Sequence, residues 1–344
     1  MRRYLPLLLI AFFLIVVILT GSITQLAGNA GKQNPANIKN ITVYTTLPIE
    51  QVAVLAQEYE KTQNVQVNVV PLSGEDLLAR VKAESANPRA DIILATGSIL
   101  EQVKKAGVFA PYSSEQTDII LDRFQDSSNY WTGVWYDPIV FVANKDYLKK
   151  LPQSPAKWDD LTKDSSMRIG MTDFLAAEAS ANLLYSFTAV KGENSTLTYL
   201  KKLHPQIVQY AKFLATPVRM AGLGEVDIAI AVQSEAIRYI NNNFPIKIIY
   251  PDEGTAFLLT GAGLVNGAPH STEAKQFLDW LTQDVAQATL EKNNFYFIPT
   301  NPESRIYKEY AAKNIKLFDA KDTLTDEQKR QLLDKWIQTV RFKP

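Results

Sequence analysis

The stretch ADIILATGSILEQVKKAG, residues Ala90–Gly107, decides the fold. It opens with an apolar run, Ile92 to Ala95, of the kind found in strands buried on both faces. Thr96-Gly97-Ser98 breaks the run, and a helix closed by Gly107 follows. The same order repeats upstream. Residues 41–45, ITVYT, are β-rich. Residues 49–62 carry Ile49, Val52, Ala53, Ala56 and Tyr59 on one helical face. VQVNVVPL (65–72) is a strand, and GEDLLARVKAESA (74–86) a helix. Three strand–helix units between Ile41 and Gly107 imply a parallel sheet covered by helices.

The middle of the chain changes character. YWTGVWYDPIVFVANKDYL (130–148) reads as two extended segments broken at Asp137-Pro138. MRIGMTD (167–173) is a strand, and AAEASANLLYSFTAV (176–190) a helix. Residues 194–214 read as helical, interrupted at His204-Pro205. GEVDIAIAVQSEAIRYI (224–240) begins with a turn, becomes an apolar strand and stops at Gln233-Ser234-Glu235 before a helix. Two further strands lie within residues 244–269, and the remainder is helical. A second α/β unit joined to the first by two extended crossings implies a ligand cleft between two lobes that close on a hinge. The expected division is residues 41–135 with 248–294 for one lobe, and 136–247 with 295–344 for the other.

Composition narrows the function. The chain has 344 residues, with 36 basic and 36 acidic side chains, and no basic face that would suit nucleic acid. It has no Cys, so disulfides, thiolate metal sites and a cysteine nucleophile are excluded. Only His204 and His270 are present, each beside a Pro, which argues against a histidine cluster for catalysis or metal. The N-terminus has Arg2 and Arg3, an apolar run from Leu5 to Leu19, and Gly28-Asn29-Ala30 in small-x-small spacing. This is the pattern of a secretory signal peptide, with retention as an N-terminal anchor as the alternative. Loss of residues 1–30 leaves 34 basic against 36 acidic residues, a net charge of −2. Residues 31–40 read as a polar tether.

The polar residues that follow each strand are the candidate site. They are Thr45 and Thr46, then Ser73, then Thr96, Gly97 and Ser98, then Thr172 and Asp173, then Gln233 and Ser234. Hydroxyls and free N–H groups at helix starts attract an anion, although each hydroxyl is also an ordinary helix cap. Trp135 and Tyr136 beside the crossing suit either an aromatic cleft wall or the core. Arg219 could pair with a ligand carboxylate or phosphate, and Glu253 could accept from a ligand amine. GAGLVNG (261–267) is a glycine-rich run without the strand–turn–helix context of a dinucleotide loop. No P-loop, nucleophile elbow or zinc spacing occurs.

The order of ITVYTTLPIEQVAVLAQEYEKTQNVQVNVV, ADIILAT, YWTGVWYDPIVFVANK, GEVDIAIA and YPDEGTAFLLTGAGLVNGAPHSTEAKQFLDWLT resembles the extracellular solute-binding proteins of ABC importers. The resemblance is to the branch containing ferric-iron, thiamine, phosphonate and sugar-phosphate binders. It implies an α/β, two-lobed type II periplasmic-binding-protein fold, no enzymatic activity and no cofactor. It also implies a monomer that delivers a small solute to a permease in the cytoplasmic membrane. Iron-binding members carry adjacent tyrosines after the strand that here ends at Gln233-Ser234, and hard Fe(III) needs anionic oxygen ligands. Organic-anion members use hydroxyls and helix starts. That pattern implies Thr45, Thr46, Ser73, Thr96, Ser98, Tyr136, Ser180, Thr216, Gln233 and Ser234 as ligand contacts. The sequence therefore favours a phosphonate, sugar phosphate or carboxylate over ferric iron. A membrane-anchored sensor and an extracytoplasmic hydrolase with paired carboxylates are the other readings.

Overall fold

The computed structural model describes residues 39–318 and 324–342; the leader and most of the tether lie outside the described residues. Ten strands form a sheet of order β2-β1-β3-β9-β4-β7-β5-β6, with β8 and β10 also pairing with β4. Their ranges are β1 Lys39–Thr45, β2 Val65–Pro71, β3 Ile92–Thr96, β4 Thr132–Asn144 and β5 Ile169–Thr172. The others are β6 Ile207–Ala211, β7 Ile228–Val232, β8 Ile246–Ile249, β9 Phe257–Leu264 and β10 Ile298–Pro299.

The strand β4 organises everything else. Residues Thr132 to Pro138 pair antiparallel with β9, and Ile139 to Asn144 pair antiparallel with β7 and β8. The sequence reading expects a break at Asp137-Pro138; the structure has one continuous strand there that changes partners. A proline is tolerated at this point because its missing N–H falls where one ladder gives way to the next. The neighbouring Ile139 N–H is taken by the Ala256 carbonyl at 2.9 Å.

Alternation then assigns the cores. In β3, Ile92 and Leu94 face a cluster with Ile41, Val43, Phe277 and Leu281. Ile93 and Ala95 face Leu77, Leu100 and Val103. In β7, Ile228, Ile230 and Val232 face Phe141, Leu183 and Phe187, while Ala229 and Ala231 face Val140, Val218 and Ala236. Each half-sheet is thus apolar on both faces and helix-covered, as its unbroken apolar strands require. Residue 248, an expected lobe boundary, lies inside β8, and the chain returns to the first half with β9. Phe295 and Phe297 pack on the core of that same half.

One other segment differs from expectation. Residues 207–211 form β6, a parallel edge strand on β5, rather than helix. Pro205 lacks the N–H that would continue the helix Glu193–Leu203, and Ile207 and Val208 are β-branched. Gly261 and Gly263 of the glycine-rich run lie within β9. A side chain on Gly261 would meet the Thr132 carbonyl oxygen at 2.6 Å, and one on Gly263 the Phe109 ring at 2.5 Å. Close strand approach, not phosphate binding, accounts for these glycines.

Trp158 is the best-enclosed aromatic of the second half. It is fully buried, edge-on to Phe141 and Phe187 with centroids 4.8 Å away in each case. Its Nε1–H donates to the Gly254 carbonyl at 2.9 Å. Replacing it by Ala removes both ring contacts and orphans that carbonyl. We expect Trp158→Ala to lose about 3–5 kcal/mol of stability, read from urea unfolding followed by far-UV circular dichroism. A loss below 1 kcal/mol would show that the site collapses freely.

Candidate functional site

The strand register brings the candidate residues toward one place. Thr96, at the carboxyl end of β3, lies level with Thr260 of β9, and Thr260 lies level with Trp135 of β4. Val232, at the carboxyl end of β7, lies level with Ile139. The strand ends of the two halves therefore approach each other over Tyr136, Asp137 and Pro138. β1 runs parallel to β3, and β5 parallel to β7, so Thr45, Thr46 and Thr172 fall on the same edges.

A contact spans the two halves beside this crossing. Ser98, in the first turn of the helix Gly97–Lys105, donates its hydroxyl to Glu178 Oε1 at 2.5 Å. Glu178 itself opens the helix Glu178–Lys191. Asn182 of that helix donates to the Phe257 carbonyl at 3.3 Å.

The triplet Gln233-Ser234-Glu235 opens the helix Gln233–Asn241 and is directed at Asp137. Ser234 N–H donates to Asp137 Oδ1 at 3.0 Å, and Ser234 Oγ–H to Oδ2 at 2.5 Å. Asp137 is 5 % exposed. Burial pushes its carboxyl up to about 7; the two bonds from Ser234 pull the other way, and the nearby Glu235 charge adds to the rise. Gln233 is fully buried. Its Oε1 accepts the Tyr250 hydroxyl at 2.7 Å, while its Nε2 has no partner in the protein. The Tyr310 phenol is pushed up to about 12, by burial first and then by acids that include Asp137. Burial also raises the phenols of Tyr250 and Tyr136.

The remaining candidates sort as follows. Thr45 is buried and accepts the Leu47 N–H at 3.1 Å, shaping the turn after β1. Thr46 Oγ1 is buried without a partner. Ser73 is a helix cap, accepting the Asp76 N–H at 3.1 Å and donating to the Asp76 carboxylate at 2.7 Å. Thr96 occupies the cap position of its helix without a side-chain cap bond, 3.5 Å from Ser98 Oγ, and Gly97 begins that helix. Ser180 closes on backbone, reaching the carbonyls of Asp173 at 2.8 Å and Ala177 at 2.7 Å. Thr216 is half-buried in the first turn of the helix Ala215–Leu223.

For three further candidates the packing supplies partners within the protein. Tyr136 stacks on Phe124 at 4.9 Å and meets Phe257 edge-on at 5.8 Å, so its ring belongs to a core cluster rather than a cleft wall. Arg219 is exposed and pairs with Glu225 at 3.7 Å, beyond the amino end of β7 and away from the crossing. Glu253 accepts the Trp158 N–H at 3.0 Å, a local tie. Sequence reasoning missed Asp137, Glu178 and Tyr250 as site residues. Asp137 carried a usable signal: it is the only charged residue in the apolar run VWYDPIVFVA. Among the described residues no group of three or more His, Cys, Asp or Glu could hold a metal ion. No helix among them is long and apolar enough to cross a membrane.

Two helix-covered half-sheets joined by paired crossing strands, with strand carboxyl ends meeting over the crossing, define a type II periplasmic binding protein. A solved neighbour of that class is the periplasmic binding protein AfuA from Actinobacillus pleuropneumoniae, with exogenous fructose-6-phosphate bound. It superposes with a TM-score of 0.72 at 24% identity, covering 89% of this chain and 100% of that one. The family model for bacterial extracellular solute-binding proteins matches residues 54–317, and the chain belongs to that family. A probable ABC transporter periplasmic-binding protein of Sinorhizobium fredii is 26% identical over 316 residues, 89% of this chain and 87% of that protein. Iron uptake protein A1 of Synechocystis is 22% identical over 302 residues, 82% of this chain and 83% of that protein.

The raised carboxyl of Asp137 has a stability signature. In the unfolded chain the group ionises near pH 4; in the folded protein it holds its proton up to about pH 7. Between those values the folded state binds more protons, so this group costs stability as pH rises, and the full cost is present above pH 7. We expect Asp137→Asn to gain stability relative to wild type by roughly 4 kcal/mol between pH 4 and 8. Paired urea titrations across that range measure it. A stability difference that does not change with pH would show that Asp137 is ionised throughout.

Proposed function

We propose that the protein captures a small polar organic solute between two lobes that close about the β4–β9 crossing, and hands it to an ABC importer. The lobes are the two half-sheets with their helices, and closure draws Ser98 and Glu178 together. The observation that carries this reading is a set of buried polar atoms with no partner in the protein. Ten such side-chain atoms occur among the described residues, and three of them belong to residues at the strand ends: Thr46 Oγ1, Thr172 Oγ1 and Gln233 Nε2. Leaving a buried donor or acceptor unpaired costs about 1–3 kcal/mol. Three at the strand ends are best accounted for by a solute that completes their hydrogen bonds.

An organic solute is favoured over ferric iron. The residues after β7 are Gln233 and Ser234, neutral groups that do not meet the demand of hard Fe(III) for anionic oxygens. Hydroxyls and carboxamides do suit the oxygens of a phosphonate, sugar phosphate or carboxylate. The protein acts as a monomeric carrier without catalysis or cofactor. Residues 1–30 direct it across the cytoplasmic membrane, and the polar stretch that follows tethers it or is left as a free end.

Native mass spectrometry of freshly purified protein tests this reading. A bound mass of a few hundred daltons should be released on unfolding, and adding that compound back should raise the melting temperature. Thr172→Val with Gln233→Leu should weaken its binding at least tenfold, about 1.4 kcal/mol. Protein that stabilises with ferric citrate and with no organic solute would sink the ligand assignment.

A further inference from the structure

We propose that the solute carries a protonated amine, seated against the carboxylate of Asp137. This rests on the solute-binding reading above and adds the sign of the charge that the site accepts. The starting point is the helix starts themselves. A helix N-terminus with free N–H groups attracts negative charge. Here the helices that follow β2, β3 and β7 all begin against a carboxylate of the protein's own chain. Asp76 lies on Ser73, Glu178 on Ser98, and Asp137 on Ser234. The last two come from other elements and lie beside the crossing, so the anion seats of the site are already filled.

Basic side chains on the elements around the crossing have partners of their own. Arg238 pairs with Glu235 on its own helix. Arg341 pairs with Asp173 at 3.2 Å and lies over the Tyr210 ring. Arg123 donates to the Phe318 carbonyl at 3.1 Å and lies over the Phe124 ring, and the Lys313 ammonium lies 4.1 Å over the Tyr310 ring. The groups facing Asp137 are Ser234 and Glu235 from the helix Gln233–Asn241, Tyr250 after β8, and Tyr310 from the helix Arg305–Ala311. They supply hydroxyls, ring faces and one more acid, and no cation.

A purely anionic solute would place a second negative charge beside the enclosed Asp137 and force one of the two to protonate. An ammonium group does the opposite. It donates to the Asp137 carboxylate, and the tyrosine oxygens and ring faces can complete its shell. A second observation points to the same pocket. Gln233 is fully buried at this helix start, one end of its amide fixed by Tyr250 and Nε2 left without an acceptor. Its Nε2 offers a neutral donor to the solute's oxygens, so the solute carries both an amine and an acceptor group.

The experiment uses the full mature protein, stripped of solute by unfolding and refolding. Small molecules from a bacterial extract are split on a cation exchanger in acid into a retained, amine-bearing pool and an unretained pool of acids and sugar phosphates. Melting temperatures are recorded with each pool, and with ferric citrate, for wild type and Asp137→Asn. The retained pool should stabilise the wild type at pH 8, and half-saturation should need at least tenfold more of it for Asp137→Asn. Wild-type affinity should weaken as pH falls below 7, by up to about tenfold per unit, because the proton on Asp137 competes with the amine. That pH profile carries the test if Asp137→Asn does not fold. Stabilisation by the acid pool or ferric citrate alone, an affinity that tightens as pH falls, or full retention of binding by Asp137→Asn overturns the proposal. Stabilisation by neither pool overturns the solute-binding reading itself.

Discussion

A backbone in the interior must pair every N–H and C=O it can, and in this protein one strand carries that obligation for both halves. β4 gives its first residues to β9 and β10 and its last to β7 and β8. Its thirteen residues are all buried. The two halves are therefore not beads on a linker. They share a strand, and the only place where its partners change is the short span at Asp137 and Pro138. Thr255 reinforces that span by donating its hydroxyl to the Ile139 carbonyl at 2.7 Å. Any relative motion of the halves is concentrated in these few residues, which also carry the buried acid of the site.

That coincidence gives the site its character. Enclosing an ionised carboxylate is expensive unless it is paired and hydrogen-bonded. Asp137 has two hydrogen bonds from Ser234 and no basic partner among those described for it. Ser98 and Glu178 form a second polar contact nearby, joining helix starts that belong to different halves. The polar groups at the crossing thus do two things at once: they hold the halves in register, and they present charge and unpaired donors where the strands end.

Much of this was legible in the sequence because it depends on periodicity. Unbroken apolar runs such as IILA and IAIAV mark strands buried on both faces, and the helices between them follow from spacing. The order of elements gave the family and the fold. Partner choice was not legible. Asp137-Pro138 reads locally as a turn, because nothing near it in the chain reveals that β9 and β7 relieve each other there. The hydroxyls of Ser73 and Ser180 look like ligand contacts from the sequence, yet Asp76 and two backbone carbonyls satisfy them. Glu178 sits in an ordinary helix start, and its partner Ser98 lies 80 positions away. Side-chain partners at such separations are set by the tertiary fold and leave no local pattern.

The sheet order also bears on how the chain reaches its native state. β9 is the strand that lies between β3 and β4, yet it follows β3 in the chain by the whole of the second half. Until residues 257–264 have emerged, the edge of β3 and the first half of β4 have no partner, and the core residues Phe277 and Leu281 are still to come. The second half waits longer still, because its core takes in Leu332, Trp336 and Val340 near the end of the chain. A chain built this way stays open while it is being made, and it closes only after loops of high entropic cost have been formed.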